Sequence, residues 1–149
     1  MKKRVLMVCL GNICRSPLAE GILKSKVDPE SVEVDSAGTA GYHVGNPPDP
    51  RSVAEARKNQ IDISGQRCRK FQREDFFEFD HIFVMDKNNY SDVLALAPDE
   101  NHKKKVRLLL EGIPSLPTEV PDPYYGGQDG FKNVFILIDE ACEKLAGEL

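Results

Sequence analysis

Short apolar runs and amphipathic segments alternate along the chain. Residues 5–8 are continuously apolar, which is typical of a strand covered on both faces, and residues 32–35 alternate between apolar and polar positions. Residues 81–85 and 106–110 have the composition of two further strands. Between these segments, helical spacing or helix-permissive composition predicts helices over residues 16–27, 51–59, 74–79, 88–97 and 131–145.

Two of the predicted helices begin with a clear signal. Ser16 before Pro17 predicts an N-cap followed by a first helical turn, and Asp49 before Pro50 predicts the cap of the next helix. The last predicted helix has its apolar residues on one face, so we expect that face to cover the sheet and Cys142 to belong to the core.

Strands that alternate with helices predict an α/β fold with a parallel sheet, and the length predicts one domain over residues 1–149. Ligands of such sheets bind outside the carboxyl ends of the strands. Cys9 and Asp86 each follow a predicted strand, so we expect both at that edge. A proline-rich loop that contains Pro114, Pro117, Pro121 and Pro123 follows the last predicted strand, and structureless loops of more than about 12–15 residues tend to be functional or disordered. The stiffness of proline favours an ordered loop here.

Composition excludes several classes of function. The chain has 24 acidic and 20 basic residues and a formal net charge of -4, so its overall charge gives no attraction for nucleic acid or anionic lipid. The basic N-terminus resembles a signal peptide only until Gly11 and Asn12 end the apolar run, and no stretch has the roughly 20 apolar residues of a membrane-spanning helix. We therefore expect a cytoplasmic protein that binds neither nucleic acid nor membrane.

The cysteines and histidines give no sign of a metal site or a disulfide framework. A chain expected in a reducing compartment keeps its cysteines as thiols. The histidines are scattered, and the sequence has no C-x-x-C, H-E-x-x-H or Walker-type phosphate loop. We expect no cofactor. The cysteines are Cys9, Cys14, Cys68 and Cys142.

The segment CLGNICRS, residues 9–16, joins the first predicted strand to the first predicted helix. Backbone N–H groups of a tight loop and the positive end of the following helix together make a site for a tetrahedral oxyanion. Gly11 and Asn12 suit the positive φ angles that such a loop requires. The residues predicted to bind phosphate are Leu10, Gly11, Asn12, Ile13, Cys14, Arg15 and Ser16.

Arg15 and Cys9 are the candidates for chemistry in this loop. A guanidinium binds two phosphate oxygens at once, and the same positive field favours the thiolate form of Cys9. The alternative for Cys9 is a residue that merely ends a buried strand, and its position and neighbours argue against that. For Cys14, a packing role and a supporting redox role are equally open.

The segment VCLGNICRSPLAE, residues 8–20, closely resembles the signature of the low-molecular-weight protein tyrosine phosphatases. The likeness covers essentially the whole chain: DPYYG at 122–126 is similar to the acid loop of that family, DSAG at 35–38 to its second-strand segment, and Met85 with Asp86 to its third. The resemblance implies a four-stranded parallel sheet flanked by helices on both faces, in a flavodoxin-like arrangement.

The resemblance also implies a reaction. Cys9 would attack the phosphorus to form phosphocysteine, Arg15 would hold the phosphate, and Asp122 would protonate the leaving oxygen and then activate water. Taken alone, an Asp-Pro pair is more often a turn or a cap. By resemblance Tyr42, Tyr124 and Tyr125 line the pocket entrance, which favours phosphotyrosine proteins or small aryl phosphates as substrates.

Further expectations concern supporting residues. Ser16 is predicted to cap the first helix and to donate a hydrogen bond to the Cys9 thiolate. By resemblance, Cys14 is the redox partner of Cys9. Gln66 stands where many relatives carry histidine, which puts in doubt only the surrounding hydrogen-bond network. We expect a monomer or weak self-association.

Two other functions share features with this one. A thioredoxin-coupled arsenate reductase shares the cradle but needs further cysteines close together, and Cys68 and Cys142 are isolated in the sequence. A phosphotyrosine-binding module without turnover would be expected to lack the nucleophile or the acid. Cys9, Arg15 and Asp122 are all present.

Overall fold

The computed structural model describes residues 2–124 and 128–149. These residues contain four strands, β1 (Lys3–Cys9), β2 (Val32–Gly38), β3 (His81–Val84) and β4 (Val106–Leu108). All neighbouring pairs are parallel, and the strand order is β2-β1-β3-β4. The predicted four-stranded parallel α/β fold is therefore confirmed.

Helices connect the strands. They are α1 (Arg15–Lys24), α2 (Pro50–Lys58), α3 (Asp75–Glu78), α4 (Lys87–Leu94), α5 (Glu100–Lys103) and α6 (Gln128–Glu148). The short helix α5 was not predicted, although Asp99 accepts a hydrogen bond from the His102 amide as a helix cap does. In the described part of the chain, no helix is both long enough and apolar enough to cross a membrane.

The sheet separates two apolar clusters, because β1 alternates between them. Val5 and Met7 belong to the cluster beneath α1 and α6, whereas Leu6 and Val8 belong to the cluster beneath α4. All four side chains are fully buried. Cys142 is buried on the α6 side, as expected. Burial on both faces explains why residues 5–8 are continuously apolar rather than alternating.

The carboxyl ends of β1 and β3 lie side by side, and this brings three connecting segments together. Val8 pairs with Val84 in the parallel register, so the loops that follow β1 and β3 begin at the same edge. Asp86 caps α4 there through a capping box with Asn89. The Val120 amide donates to the Met85 carbonyl at 2.8 Å, which draws the proline-rich segment along the same edge.

Several predicted boundaries differ from the observed ones. The strand predicted at 32–35 continues to Gly38, because residues 36–38 stay in register with the end of β1. Asp49 caps α2 as predicted, accepting from the Arg51 amide. The prediction that Ser16 caps α1 is wrong: the N-cap position is Cys14, without a side-chain cap, and Ser16 already lies in the first turn.

Candidate active site

Residues 10–14 form the loop that is predicted to bind phosphate, called the phosphate loop below, which leaves β1 at Cys9 and enters α1 at Arg15. Of the two residues predicted to suit a positive φ, only Asn12 has one, at 57°, a left-handed conformation that asparagine tolerates better than most residues, and the prediction is wrong for Gly11. Residues far away in the sequence hold Asn12 there. The Cys68 thiol donates to its backbone carbonyl at 2.8 Å, and the Arg69 amide donates to its side-chain oxygen at 3.0 Å.

The Asn12 side chain also sets the direction of a buried hydrogen-bond network. Because its oxygen accepts from Arg69, its nitrogen must be the donor to Ser16 Oγ at 2.7 Å and to Ser36 Oγ at 3.1 Å. Ser36 in turn donates to Glu20 at 2.7 Å, whose other carboxylate oxygen is 2.6 Å from Lys24 Nζ. The chain of contacts thus runs from the loop to the surface of α1.

Ser16 links this network to the candidate nucleophile. Its hydroxyl lies 3.1 Å from Cys9 Sγ and 3.5 Å from the Ala37 carbonyl. Since Asn12 donates to the Ser16 oxygen, the hydroxyl proton is available to the sulfur, which is the nearer acceptor. Cys9 is 2% exposed, so its sulfur is shielded from bulk solvent.

Gly38 leaves no room behind the loop for a side chain. A Cβ built at this position would lie 2.8 Å from the Leu10 carbonyl oxygen and 3.0 Å from the Asn12 amide nitrogen. Both are backbone atoms, which cannot move aside without moving the loop. The end of β2 therefore supports the phosphate loop directly, and the glycine is required by this close approach.

Arg15 is held at the edge of the sheet with its side chain only 3% exposed. One terminal nitrogen donates to Asp86 at 2.7 Å and to the Val120 carbonyl at 2.9 Å, while the other lies 3.7 Å from Asp122. Burial works to lower the pKa of Arg15, but Cys9, Asp86 and Asp122 together raise it above its ordinary value. The guanidinium is a fixed positive charge beside the sulfur.

Asp122 faces the same space from the proline-rich segment. The Tyr124 amide donates to one of its oxygens at 3.0 Å, and the other oxygen is the one that faces Arg15. The carboxylate side chain is 38% exposed, so it remains accessible to solvent. A cleft of about 260 Å³ joins these groups, and it is lined by Cys9, Leu10, Gly11, Ile13, Cys14, Arg15, Tyr42, His43, Asp122 and Tyr124.

The structure brings the predicted site residues together with some differences in position. Asn12 and Ser16 turn their side chains into the buried network behind the loop. Tyr42 stands at the rim with 76% of its surface exposed, and Tyr124 is partly exposed. Tyr125, also predicted at the entrance, lies outside the described residues.

The other cysteines are buried around the loop or in the core. Burial, with Asp49 and Cys9 adding to it, raises the pKa of Cys14 to about 12. Burial and then Cys9 raise the pKa of Cys68 to about 11. The isolation of Cys68 in the sequence was misleading, because its thiol touches the phosphate loop at Asn12. Cys142 is remote from this group, on the α6 side of the sheet.

Sequence reasoning missed the residues that hold the loop from outside. Ser36 lies just beyond the strand predicted at residues 32–35, and Ser52, whose hydroxyl donates to the Cys14 carbonyl at 3.3 Å, is predicted only as part of a helix. Asp86 was expected at this edge but not as the partner of Arg15. Gln66 lies beside α1, donating to the Pro17 carbonyl at 3.1 Å. A serine or a cysteine far from the signature carries no pattern that would reveal such contacts.

Comparison with known proteins gives a consistent result. A family model described as low molecular weight phosphotyrosine protein phosphatase matches residues 4–149. A low molecular weight phosphotyrosine protein phosphatase of Schizosaccharomyces pombe is 43% identical over 91% of this chain and 90% of its own length.

Solved structures agree with the sequence comparison. A protein tyrosine phosphatase from Entamoeba histolytica superposes with a TM-score of 0.92 at 38% identity, covering 99% of this chain and all of that one. The Vibrio vulnificus protein Wzb, solved in complex with benzylphosphonate, superposes with a TM-score of 0.89 at 29% identity and full coverage of both chains. The fold and the family assignment therefore rest on likeness over the whole length.

Proposed function

This chain belongs to the low molecular weight phosphotyrosine protein phosphatases, and we therefore propose that it hydrolyses phosphotyrosine and small aryl phosphates through a phosphocysteine on Cys9. One observation carries the proposal: Cys9, Arg15 and Asp122 all line one cleft. A nucleophile, a fixed cation and a solvent-accessible acid are the groups needed to transfer a phosphoryl group in two steps.

In the first step the Cys9 thiolate attacks phosphorus, forming the S–P bond as the bond from phosphorus to the aryl oxygen breaks. Asp122, protonated at the start, gives its proton to the departing oxygen. Arg15 supports this step because one of its terminal nitrogens is committed to Asp86 and Val120, which leaves the remaining donors of the guanidinium for the phosphate oxygens. Loop amides would bind the equatorial oxygens of phosphate.

In the second step Asp122, now a carboxylate, takes a proton from water as the water oxygen attacks phosphorus. The S–P bond breaks and Cys9 leaves as a thiolate. A hydrogen bond from Ser16, whose hydroxyl lies 3.1 Å from the sulfur, stabilises the leaving thiolate. The products are inorganic phosphate and the free enzyme, and Asp122 regains the proton that it gave up.

The walls of the cleft support an aryl group as the preferred leaving group. Leu10, Ile13 and the aromatic rings of Tyr42 and Tyr124 surround the opening, so an aromatic ring attached to the bound phosphate would lie among apolar surfaces. The Vibrio vulnificus neighbour binds benzylphosphonate, which also joins a tetrahedral phosphorus group to an aromatic ring. By the same resemblance, Tyr125 would contribute to this entrance.

We further propose that residues 1–149 act as one phosphatase domain, as a monomer or with weak self-association, in the cytoplasm and without a metal cofactor.

The experiment that tests the function measures hydrolysis of a phosphotyrosine peptide and of 4-nitrophenyl phosphate in excess chelator. The same preparation is assayed for arsenate reduction with thioredoxin. We expect hydrolysis to persist in chelator, and arsenate reduction without phosphatase activity would overturn the proposal.

Two variants test the assigned roles. Cys9→Ser is expected to abolish turnover, because a serine hydroxyl at this position stays protonated and is a poor nucleophile.

Asp122→Asn should slow hydrolysis of phosphotyrosine by about 10²-fold or more, and that of nitrophenyl phosphate much less, since nitrophenolate leaves with little protonation. Equal losses on the two substrates would remove Asp122 from the role of acid.

A further inference from the structure

The N-terminus of α2 contacts both segments that form the cleft, although it contributes no lining residue. The Asp49 amide donates to the Ile13 carbonyl at 2.8 Å, and the Ser52 hydroxyl donates to the Cys14 carbonyl at 3.3 Å. These contacts attach α2 to the phosphate loop. Arg51, between them, points to the other side, toward the segment that carries Asp122.

The Arg51 guanidinium is fixed by Asp49 and lies against two aromatic rings. Its Nε and one terminal nitrogen meet the two carboxylate oxygens of Asp49 at 3.0 and 2.9 Å. Its central carbon lies 5.5 Å from the centre of the Tyr124 ring and 4.6 Å from that of Phe131. Phe131, at the start of α6, is fully buried, so one of the two rings belongs to the core.

Tyr124 connects this contact to the candidate acid. Its backbone amide holds one oxygen of Asp122 at 3.0 Å, and the second oxygen faces Arg15 at 3.7 Å. A displacement of Tyr124 would therefore move the carboxylate relative to the phosphate loop. A planar guanidinium that is paired on its edge and stacked on its face can fix an aromatic ring in a way that an ammonium cannot.

We infer that Arg51 is a positioning residue, which holds Asp122 at its distance from Cys9 by fixing Tyr124 against α2. The inference rests on the proposed role of Asp122 as proton donor. Arg51 does not line the cleft, so it acts through Tyr124 rather than on the substrate. Its loss should therefore affect the step that needs a proton from Asp122, and leave phosphate binding intact.

The test compares Arg51→Met with Arg57→Met, which makes the same change at an exposed arginine of the same helix. Arg51→Met is expected to lower kcat/KM for a phosphotyrosine peptide by about 10-fold or more, because small displacements of a catalytic group are costly. The loss on 4-nitrophenyl phosphate should be much smaller. The inhibition constant of inorganic phosphate should not change in either variant, and Arg57→Met should match the parent.

A double variant separates this inference from the role of Asp122. If Arg51 acts through Asp122, adding Arg51→Met to Asp122→Asn should cause no further loss on phosphotyrosine. Full additivity, or equal losses on both substrates in Arg51→Met alone, would overturn the inference while Asp122→Asn still reports on the acid. A weaker inhibition by phosphate in Arg51→Met would assign Arg51 to the phosphate loop instead. Arg51→Lys, which keeps the charge but not the planar fork, should show the same dependence on leaving group.

Discussion

Asn12 holds the phosphate loop by its backbone and its side chain at once. A left-handed conformation costs an ordinary residue about 1–2 kcal/mol, and asparagine less. Four hydrogen bonds, to Ser16, Ser36, Cys68 and Arg69, offset this cost. The same side chain leaves the Ser16 proton available to Cys9. A single residue thus determines both the shape of the loop and the hydrogen bond offered to the sulfur.

Arg15→Lys is predicted to lower kcat/KM by about 10²-fold or more, the typical cost of losing a preorganised donor to the transition state. Arg15 satisfies Asp86 and Val120 with one terminal nitrogen, which leaves its other donors available to a bound phosphate. A lysine has a single nitrogen, which cannot serve both sets of acceptors. Kinetics with nitrophenyl phosphate measure the loss, with Arg57→Lys as the control. Parental activity in Arg15→Lys would contradict the clamp assignment.

Peroxide is predicted to inactivate the enzyme reversibly by joining Cys9 to Cys14. Peroxide would oxidise the Cys9 thiolate to a sulfenic acid, and attack by Cys14 sulfur would form the disulfide and release water. Because burial raises the pKa of Cys14 to about 12, this thiol is protonated at neutral pH. Only its thiolate attacks, so disulfide formation should become faster as pH rises from 6 to 9.

The measurement for this prediction is recovery with dithiothreitol after peroxide treatment. Cys14→Ser should lose recovery, since the sulfenic acid then proceeds to irreversible forms. Cys68→Ser is the matched control, because Cys68 is also buried beside the loop and its pKa is raised to about 11. If Cys68→Ser loses recovery and Cys14→Ser keeps it, the partner assignment to Cys14 is wrong.

At the scale of elements, the phosphate loop and β2 form one packed unit. Gly38→Ala is predicted to displace the loop, since the added methyl group would meet backbone atoms at 2.8 and 3.0 Å. We expect weaker inhibition by inorganic phosphate and a loss of roughly 1–3 kcal/mol in the free energy of unfolding. Denaturant titration and inhibition kinetics measure the two effects.

Gly65→Ala is the control for this prediction. A Cβ at Gly65 meets no atom within 4 Å, so the same substitution adds no contact there. Its stability should be unchanged within about 0.5 kcal/mol or slightly higher. If Gly38→Ala behaves like Gly65→Ala, the loop does not depend on the close approach of β2.

The elements that were predictable from the sequence are those whose signals are local. A continuous apolar run, a cysteine-to-arginine loop and a proline-containing helix start follow one another, so β1, the phosphate loop and α1 could be placed together. Asp49 likewise sits directly before the helix that it caps. The parallel sheet followed from the alternation of strands and helices, and the register then brought Asp86 to the loop.

What could not be predicted depends on contacts between distant residues. Arg69 and Cys68 hold Asn12 across more than fifty positions, and no periodicity records such a contact. The predicted strand ends before residues 36–38 because serine and glycine favour turns, yet the pairing with β1 extends β2 through them. Ser16 was wrongly assigned as a cap because its hydroxyl is engaged with Cys9 and Asn12 inside the first turn.

In the whole molecule, β1 contributes side chains to both apolar clusters. Its successive side chains enter opposite faces of the sheet, so neither cluster can lose its packing without exposing part of this strand. The catalytic candidates are attached to the same strand through the phosphate loop, and to α6 through the contact of Arg51 with Phe131. Stability and the geometry of the cleft are therefore coupled.

This coupling predicts one cooperative unfolding transition whose midpoint rises with inorganic phosphate. A ligand that binds only the folded state stabilises it by about 2.7 kcal/mol at a concentration of 100 times its Kd. For a domain of this size that corresponds to an increase of about 5 to 11 °C in Tm. Far-UV and near-UV circular dichroism should give coincident midpoints for secondary and tertiary structure, and the calorimetric enthalpy should equal the van't Hoff enthalpy. Arg15→Lys should keep the single transition but lose most of the rise in Tm that phosphate causes, while Arg57→Lys should keep the whole rise.

Two separate transitions would show that the two apolar clusters unfold independently. An undiminished rise in Tm in Arg15→Lys would mean that phosphate binds elsewhere.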